Sequence, residues 1–243
     1  MKITFLGTSH GAPEKDRYCT SLLIEHAGYH YILDLGAPVE YLLKQQDISI
    51  NTVKGIFITH MHADHAEALT SITKNYAVYN KHAEAELFLP EKEAIEPYKA
   101  WIQSLHMKLP EDRLMLRVIQ PGVIFEKYGM RVTAVLTEHI SKEVPTYAFI
   151  FEADGKKVLF TGDLAYDYHD YPAIVKNEEF DLVVSELVHL SIEKSRYILE
   201  GTKTKQMIFS HVGPGNVERL EKMGITFDFP YLIATDGFQY YVV

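Results

Sequence analysis

One short stretch, Thr59-His60-Met61-His62-Ala63-Asp64-His65, constrains this chain more than any other part of its sequence. The mostly apolar residues 55–58 before it predict a short buried strand, and residues 66–74 after it predict a helix. Because a strand leads into this stretch and a helix follows it, three imidazoles and one carboxylate come together in a small volume. Divalent zinc and its neighbours accept these ligands, so the stretch predicts a metal site. The alternative is a polar turn with solvated histidines, in which Asp64 only caps the helix that follows. Turn chemistry does not explain three histidines in six residues.

The pattern at residues 60–65 resembles the His-x-His-x-Asp-His signature of the metallo-β-lactamase superfamily. Three later residues match further ligand positions of that family, and each follows an apolar run that predicts a strand: His139, Asp163 and His211. The resemblance extends over nearly the whole chain. It implies an α/β fold, a four-layer αβ/βα sandwich, with the ligands at strand ends along one edge of the sheets. We expect a single domain over residues 1–243, because the ligands must meet at one site.

The same resemblance implies two divalent metal ions. A first ion would take three imidazoles, a second would take two imidazoles and a carboxylate, and a further carboxylate would bridge them. In this sequence the two sets are His60, His62 and His139, then Asp64, His65 and His211, and the bridge is Asp163. Two such ions, roughly 3.5 to 4 Å apart, lower the pKa of a shared water to near neutrality. Because this water would be the nucleophile, the ligand Asp64 is also a candidate catalytic residue. Zinc is expected for a site rich in histidine, and manganese or iron suits the same ligands.

Asp34 is the candidate for a residue behind the metals. It follows an apolar strand and precedes Gly36, and the family places a carboxylate at this position. We expect Asp34 to hold a ligand imidazole in one tautomer. An aspartate that merely opens a turn is the alternative.

The first loop favours one branch of the superfamily. Residues 5–13, followed by Arg17 and Ser21, are similar to the opening of ribonuclease Z-like proteins, which implies phosphodiester chemistry. Glycines in this loop allow a close approach of the backbone to a ligand, although a plain surface loop explains them as well. Ser9 and His10 are therefore candidate substrate contacts. His169 is a further candidate, at the rim of the cleft.

The segment 181–189 places a carboxylate and an imidazole just after a predicted buried strand. In ribonuclease Z-like proteins a histidine before the next helix protonates the leaving group and is partnered by a glutamate. His189 lies 22 residues before His211, which resembles that spacing, whereas Glu186 is closer to His189 than in the usual pattern. His189 and Glu186 are therefore candidate catalytic residues, with their partnership open. Ser191 is expected to cap the helix, with Glu193 in its first turn.

Composition excludes several classes of protein. The formal net charge of −9 disfavours tight binding to a long nucleic acid, which depends on clustered cations. We find no apolar run near 18 residues, so no membrane partner is expected. The single cysteine, Cys19, excludes an internal disulfide framework and favours the cytoplasm. We place Cys19 in a strand as a packing residue.

Together these features predict a phosphodiesterase that acts on a small or cyclic phosphodiester. Ribonuclease Z enzymes that process transfer RNA usually carry a binding arm between the ligands that match His139 and Asp163, and only 23 residues lie between them here. A ribonuclease Z-like endonuclease nevertheless remains an alternative. A thioesterase or lactonase would use the same hydroxide on an acyl carbon, and a non-catalytic metal-binding protein would keep the ligands without turnover. The sequence leaves the substrate, the metal and the oligomeric state open, including a homodimer.

Hydrophobic periodicity predicts the order of the elements. Strands are expected at 2–6, 18–24, 29–33, 86–89, 115–119, 130–136, 146–152, 157–161, 181–185, 206–210 and 231–234. Helices are expected at 38–45, 66–79, 91–107, 170–177, 191–200 and 215–223. Tyr98, Trp101, Ile102 and Leu105 recur at helical spacing, which predicts a core-facing stripe.

Overall fold

Two sheets pack against each other and carry helices on their outer faces. The structure is a computed structural model that describes residues 1–189, 192–224 and 226–243, with only the backbone described for residues 167 and 192–195. Within these residues the layers follow the order helix, sheet, sheet, helix, as expected for the four-layer sandwich. Each sheet has seven strands.

The first sheet is built mainly from the N-terminal half and has the strand order β14-β1-β2-β3-β4-β5-β6. Strands β14 to β3 pair antiparallel, and β3 to β6 pair parallel. The strands are β1 (Lys2–Gly7), β2 (Ser21–His26), β3 (Tyr29–Leu33), β4 (Val53–Phe57), β5 (Ala85–Leu89), β6 (Leu114–Val118) and β14 (Gln239–Tyr241). The helices on its outer face are α1 (Val39–Gln45), α2 (Ala63–Ala66), α3 (Leu69–Lys74) and α4 (Ile95–Ser104).

The second sheet repeats this plan and has the strand order β13-β12-β11-β10-β9-β8-β7. Strands β13 to β10 pair parallel, and β10 to β7 pair antiparallel. The strands are β7 (Gly122–Lys127), β8 (Met130–Thr137), β9 (Thr146–Ala153), β10 (Lys156–Phe160), β11 (Leu182–Leu187), β12 (Met207–Val212) and β13 (Tyr231–Ile233). The helices are α5 (Ile174–Asn177), α6 (Ile192–Leu199) and α7 (Asn216–Lys222).

Aromatic side chains fill the space between the sheets. Phe57, the last residue of β4, stacks on Phe88 at 4.8 Å between ring centroids and meets Phe125 and Phe151 of the other sheet edge-on at 5.9 and 5.4 Å. Tilted and edge-on pairs of this kind contribute about 0.5–1.5 kcal/mol each beyond the area they bury. This packing holds the end of β4 in place, and β4 leads directly into the histidine-rich stretch.

Several predicted elements differ from the structure. The expected helix over residues 66–79 is divided into α2, α3 and a π-helical turn at Asn75–Tyr79, because residues 67 and 68 separate the two short α-helices. Sequence patterns missed two edge strands, β7 and β14, since β7 is largely exposed and β14 has only three residues. Cys19 is buried as expected, but it precedes β2 instead of lying within it.

The stripe on α4 is only partly buried. Tyr98 and Ile102 pack into the core, whereas Trp101 is 56% exposed and Leu105 is 38% exposed. The indole Nε1 of Trp101 donates a hydrogen bond to Thr70 Oγ1 at the surface.

The capping roles of Ser191 and Glu193 fall outside the described residues. Among the described residues, no helix combines the length and apolar character needed to cross a bilayer.

Candidate metal centre

Strand ends deliver the predicted ligands to one edge of the two sheets. The histidine-rich stretch follows β4, and His62 is the extended residue immediately before α2. His139 follows β8 and Asp163 follows β10. His211 differs from expectation, because it lies within β12 at a register shift between β11 and β12 and has a φ of 50°. A bulge of this kind turns a side chain away from the ordinary alternation of a strand, which explains how a residue inside β12 reaches the site.

The ligand atoms form two groups that match the expected sets. In each group the nitrogen or oxygen atoms lie within 4.8 Å of one another. The first group is exposed at His62 and holds imidazoles alone, whereas the second is buried except for a partly exposed aspartate. The members are His60, His62 and His139 in the first group, and Asp64, His65, Asp163 and His211 in the second.

Asp163 contacts imidazoles of both groups. Its Oδ2 lies 3.8 Å from Nε2 of His60, 3.8 Å from Nε2 of His139 and 3.2 Å from Nε2 of His211. Its Oδ1 lies 3.4 Å from Nε2 of His65. The carboxylate therefore occupies the position of a bridge between the two groups.

The remaining ring nitrogens show how these imidazoles are oriented. Nδ1 of His139 lies 3.0 Å from the carbonyl oxygen of Leu164, and Nδ1 of His211 lies 2.9 Å from that of Ser9. A carbonyl oxygen only accepts, so both rings donate from Nδ1 and direct an Nε2 lone pair into the site. Backbone and carboxylate partners of this type hold metal-binding histidines in one tautomer.

Thr59 and Asp34 orient two further imidazoles. Thr59 donates its hydroxyl proton to Asp34 and accepts from Nδ1 of His60 at 3.0 Å. Asp34 Oδ2 accepts from Nδ1 of His65 at 2.8 Å, as expected for a residue behind the metals. Asp34 has a φ of 60°, a strained backbone region that the hydrogen bonds from Thr59 and His65 hold in place.

The donor set fits divalent cations. His62 directs Nδ1 toward Nε2 of His60 at 3.0 Å and Nε2 of His139 at 3.4 Å. Nε2 of His65 and Oδ1 of Asp163 are buried without a hydrogen-bond partner, although buried polar atoms ordinarily have one. Lone pairs and orphaned polar atoms that converge in this way are satisfied by a cation, so we conclude that the site binds divalent metal.

The pKa values reflect the charges of the site. Burial lowers the pKa of His60 well below its ordinary value, so this ring is neutral and free to bind a metal. Burial acts to lower the pKa of His65 also, but the carboxylates of Asp163 and Asp34 raise it well above its ordinary value. Burial acts to raise the pKa of Asp163, while His211 and His65 hold it well below the usual range. Burial acts to raise the pKa of Asp64 too, but the His65 ring, with Nε2 3.3 Å from Oδ2, lowers it to about 2. Both carboxylates are therefore ionised.

Glu186 and His189 meet beside the first group of ligands. Nδ1 of His189 lies 2.8 Å from Oε2 of Glu186, and Glu186 also accepts from the backbone N–H groups of Leu164 at 2.6 Å and His189 at 2.9 Å. The His189 ring lies 4.6 Å from that of His139, centroid to centroid. Burial lowers the pKa of His189, but the hydrogen bond to Glu186 raises it above its ordinary value. His189, His139 and Asp163 also have ligand atoms within 4.8 Å of one another, so His189 lies at the metal centre.

The first loop lies over the second group of ligands. A Cβ atom on Gly11 would lie 3.9 Å from Oδ2 of Asp64. Ser9 is fully buried and donates its hydroxyl to the carbonyl oxygen of Ala12, and its role as a substrate contact stays a prediction. His10 is partly exposed, with Nε2 3.5 Å from Glu14 Oε1, and stays a predicted substrate contact.

Among the described residues, His169 belongs to neither ligand group. It is 61% exposed at its side chain and lies 3.4 Å from Oε2 of Glu138.

Sequence reasoning missed two threonines at the site, Thr59 and Thr20. The hydroxyl of Thr20 lies 2.6 Å from Nδ1 of His211. Thr20 carries no signal in the sequence that links it to a histidine 191 residues later.

Comparisons with known proteins relate the chain to ribonuclease Z in sequence. The chain is 31% identical over 157 residues to a ribonuclease Z of Crocosphaera subtropica, an alignment that covers 63% of this chain and 49% of that protein. The chain thus spans about half the length of the curated relatives it matches.

Solved structures show that the fold is of the metallo-β-lactamase type. The metallo-beta-lactamase fold protein YhfI from Bacillus subtilis superposes with a TM-score of 0.78 at 18% identity, covering 98% of both chains. The short form of human tRNase Z superposes with a TM-score of 0.75 at 16% identity, covering 100% of both chains. Residues 1–226 match the family described as "Anti-Pycsar protein Apyc1". The match covers more than half of the chain, and the chain therefore belongs to the Anti-Pycsar protein Apyc1 family.

Proposed function

We propose that this chain is a metal-dependent hydrolase with a dinuclear centre, folded as one domain over residues 1–243, that cleaves a small phosphodiester such as a cyclic nucleotide. The observation that carries the proposal is the position of Asp163, whose two oxygens contact imidazoles of both ligand groups. A bridging carboxylate between two sets of imidazoles suits a pair of divalent ions.

Bound divalent ions would supply a hydroxide nucleophile at neutral pH and would stabilise negative charge on the phosphoryl oxygen. The protein's part begins with His189. Because Nδ1 of His189 is held by Glu186, the proton available for transfer is on Nε2. Glu186 is itself fixed by backbone N–H groups, so it holds the imidazole in one orientation and favours its protonated form. His189 therefore protonates the oxygen of the leaving group as the ester bond breaks.

The shape of the site supports a small substrate. In the described stretch from His139 to Asp163, β9 and β10 are joined by a tight turn at Asp154-Gly155, which leaves no room for an inserted arm. The net charge of −9 offers no field that would attract a long polyanion. The ribonuclease Z relatives make RNA cleavage the second candidate, since they match over 63% of this chain.

Zinc is the proposed metal, because imidazole and carboxylate ligands suit it best among the abundant divalent ions, with manganese or iron as alternatives. We also propose a cytoplasmic location, because the single cysteine, Cys19, is buried and free. Sedimentation would measure whether the chain forms a homodimer in solution.

The test combines metal content with turnover. Protein purified without chelators should contain two transition-metal ions per chain, and it should hydrolyse small phosphodiesters in preference to thioesters and lactones. Asp163→Ala should lose both ions and all turnover, because it removes the contact shared by both groups. His82→Ala, at an exposed position outside the site, should behave like wild type.

Three results would contradict the proposal. A content of one ion that does not change on reconstitution with zinc or manganese excludes a dinuclear centre. Preferred turnover of a thioester or lactone assigns the centre to acyl chemistry, and full metal loading without turnover of any substrate assigns it to a binding protein.

A further inference from the structure

A carboxylate near the C-terminus holds both ends of the first loop. Asp236 lies between β13 and β14, where Gly237 N–H donates to Phe5 O at 2.7 Å and anchors this segment to β1. Oδ1 of Asp236 accepts from the hydroxyl of Thr8 at 2.7 Å, and Oδ2 accepts from the backbone N–H of Tyr18 at 2.7 Å. Thr8 and Tyr18 flank residues 9–17, so one side chain closes the base of the loop.

The base of this loop is also the surface that orients His211. The N–H of Ser9 donates to Tyr18 O at 2.8 Å, and the N–H of Val212 donates to Thr8 O at 2.9 Å. Ser9 O in turn accepts from Nδ1 of His211 at 2.9 Å. Ser9 thus connects the loop that Asp236 closes to a ring that directs Nε2 toward Asp163 at 3.2 Å.

The ring of His211 depends on this support for its orientation. It lies at a bulge with a φ of 50°, a region that non-glycine residues rarely adopt, so regular strand pairing does not hold its ring in place. The contacts that remain to Nδ1 come from Ser9 O and from Thr20 Oγ1 at 2.6 Å.

We propose that Asp236 is a positioning residue for the metal position formed by Asp64, His65 and His211. It acts through Thr8 and Tyr18, whose separation sets the place of Ser9 O and hence the direction of the His211 ring. The inference rests on the proposed dinuclear centre and concerns only one of its two positions. No contact joins Asp236 to His60, His62 or His139 among the described residues.

The role needs hydrogen bonding and does not need a negative charge. Burial raises the pKa of Asp236, and the bonds from Tyr18 and Thr8 only partly oppose this. An asparagine can replace the carboxylate, because its Oδ1 accepts from Tyr18 N–H while its Nδ2 donates to the Thr8 hydroxyl, which can also accept. An alanine leaves both groups without a partner.

The experiment titrates metal-free full-length protein with Zn²⁺ by calorimetry and with Co²⁺ by absorption. The variants are Asp236→Ala, Asp236→Asn and, as a matched control, Asp228→Ala at an exposed position eight residues earlier. His211→Ala identifies which of the two binding steps belongs to the second group. Loss of partners behind a ligand typically weakens metal affinity about 10- to 100-fold. We expect a loss of about 10-fold, at the lower end of that range, in the step that His211→Ala removes, with the other step unchanged.

Asp236→Asn and Asp228→Ala should bind both ions like wild type. Equal weakening of both steps by Asp236→Ala, or wild-type binding of both ions, would overturn the positioning role, as would a wild-type protein that binds a single ion. Because the readout is metal affinity, a protein that binds two ions but hydrolyses no phosphodiester would refute the proposed activity and leave this inference intact.

Discussion

Individual atoms behind the metal ligands account for much of the chemistry of this site. Asp34, Thr59, Leu164 and Ser9 each contact the ring nitrogen that points away from the centre. Asp34 and His211 both have positive φ values, and such strain persists where the surroundings hold it. These contacts fix the orientation of the imidazoles and so limit the reorganisation that metal binding requires.

The role of His189 leads to a prediction about leaving groups. His189→Ala should retain both ions, because His189 lies outside the two proposed ligand sets, but it should lose turnover mainly on substrates with poor leaving groups. An alkoxide must be protonated as it departs, whereas a nitrophenolate scarcely needs a proton. General acid catalysis is typically worth about 10²- to 10⁴-fold. Steady-state kinetics on a cyclic nucleotide and on bis(p-nitrophenyl) phosphate would measure the difference.

Two comparisons control this experiment. His82→Ala, at an exposed position outside the site, should change neither rate appreciably. Equal losses by His189→Ala on both substrates would show that His189 binds or positions the substrate, and loss of metal would show that it is a ligand.

The ends of the secondary-structure elements position the candidate metal ligands. Strands β4, β8 and β10 finish just before a ligand, and β12 carries His211 at its bulge. The short helix α2 has only four residues and could not form alone, so its position depends on packing and on the hydrogen bond from the Leu35 N–H to His65 O at 2.7 Å. The ligands are therefore held by elements that the rest of the fold stabilises.

An ion cluster ties the far edges of the two sheets together. Glu86 of β5 is 9% exposed at its side chain, and it accepts from Arg117 Nε of β6 at 2.8 Å and from Lys127 of β7 in the other sheet. Burial acts to raise the pKa of Glu86, but Lys127 and Arg117 lower it below its ordinary value. Because the pKa is depressed in the folded state, the stability from Glu86 is present above the unfolded pKa of about 4.3. It is lost as the pH falls through the folded value.

Glu86→Gln should therefore lower the free energy of unfolding by about 1 kcal/mol at pH 7, since Arg117 and Lys127 are half exposed and partly screened. The difference from wild type should shrink as the pH falls below about 4. Urea unfolding at several pH values would measure it, with the exposed Glu84→Gln as a matched control. A difference that stays constant with pH would refute an electrostatic origin.

At the scale of the whole molecule, two features matter: the matching topology of the two sheets and the negative net charge of the chain. Each sheet has three parallel and three antiparallel pairings, and the aromatic core lies between them. The frame places the centre at one edge of the sheets, and the chain carries a formal net charge of −9.

This charge predicts how salt affects turnover. Hydrolysis of small diesters should depend little on salt, because one phosphate releases few counterions, and precursor transfer RNA should be a poor substrate. Initial rates from 50 to 300 mM salt on a cyclic nucleotide and on precursor transfer RNA would test this. Efficient cleavage at the 3′ end of that RNA, declining steeply as salt rises, would favour the ribonuclease function.

The resemblance that the sequence carries predicted the layered α/β fold, and it named candidate ligands that the fold brings together. The ligands could be identified because metal chemistry restricts residue types, and because the strand before each ligand is buried and therefore apolar. Local spacing within residues 59–65 determined the first four ligands, and the resemblance supplied His139, Asp163 and His211.

Only the tertiary structure decided how those side chains are held. The hydroxyl of Thr20 behind His211 and the closure of the first loop by Asp236 join residues 191 and 218 positions apart, and local patterns do not encode such contacts. The edge strands β7 and β14 were missed for a related reason, since a largely exposed or very short strand lacks a hydrophobic period. Residue type and spacing thus specify what can bind a metal. Contacts between distant segments decide which ring nitrogen His65, His139 and His211 present, because the partners of these rings lie 31, 25 and 202 residues away.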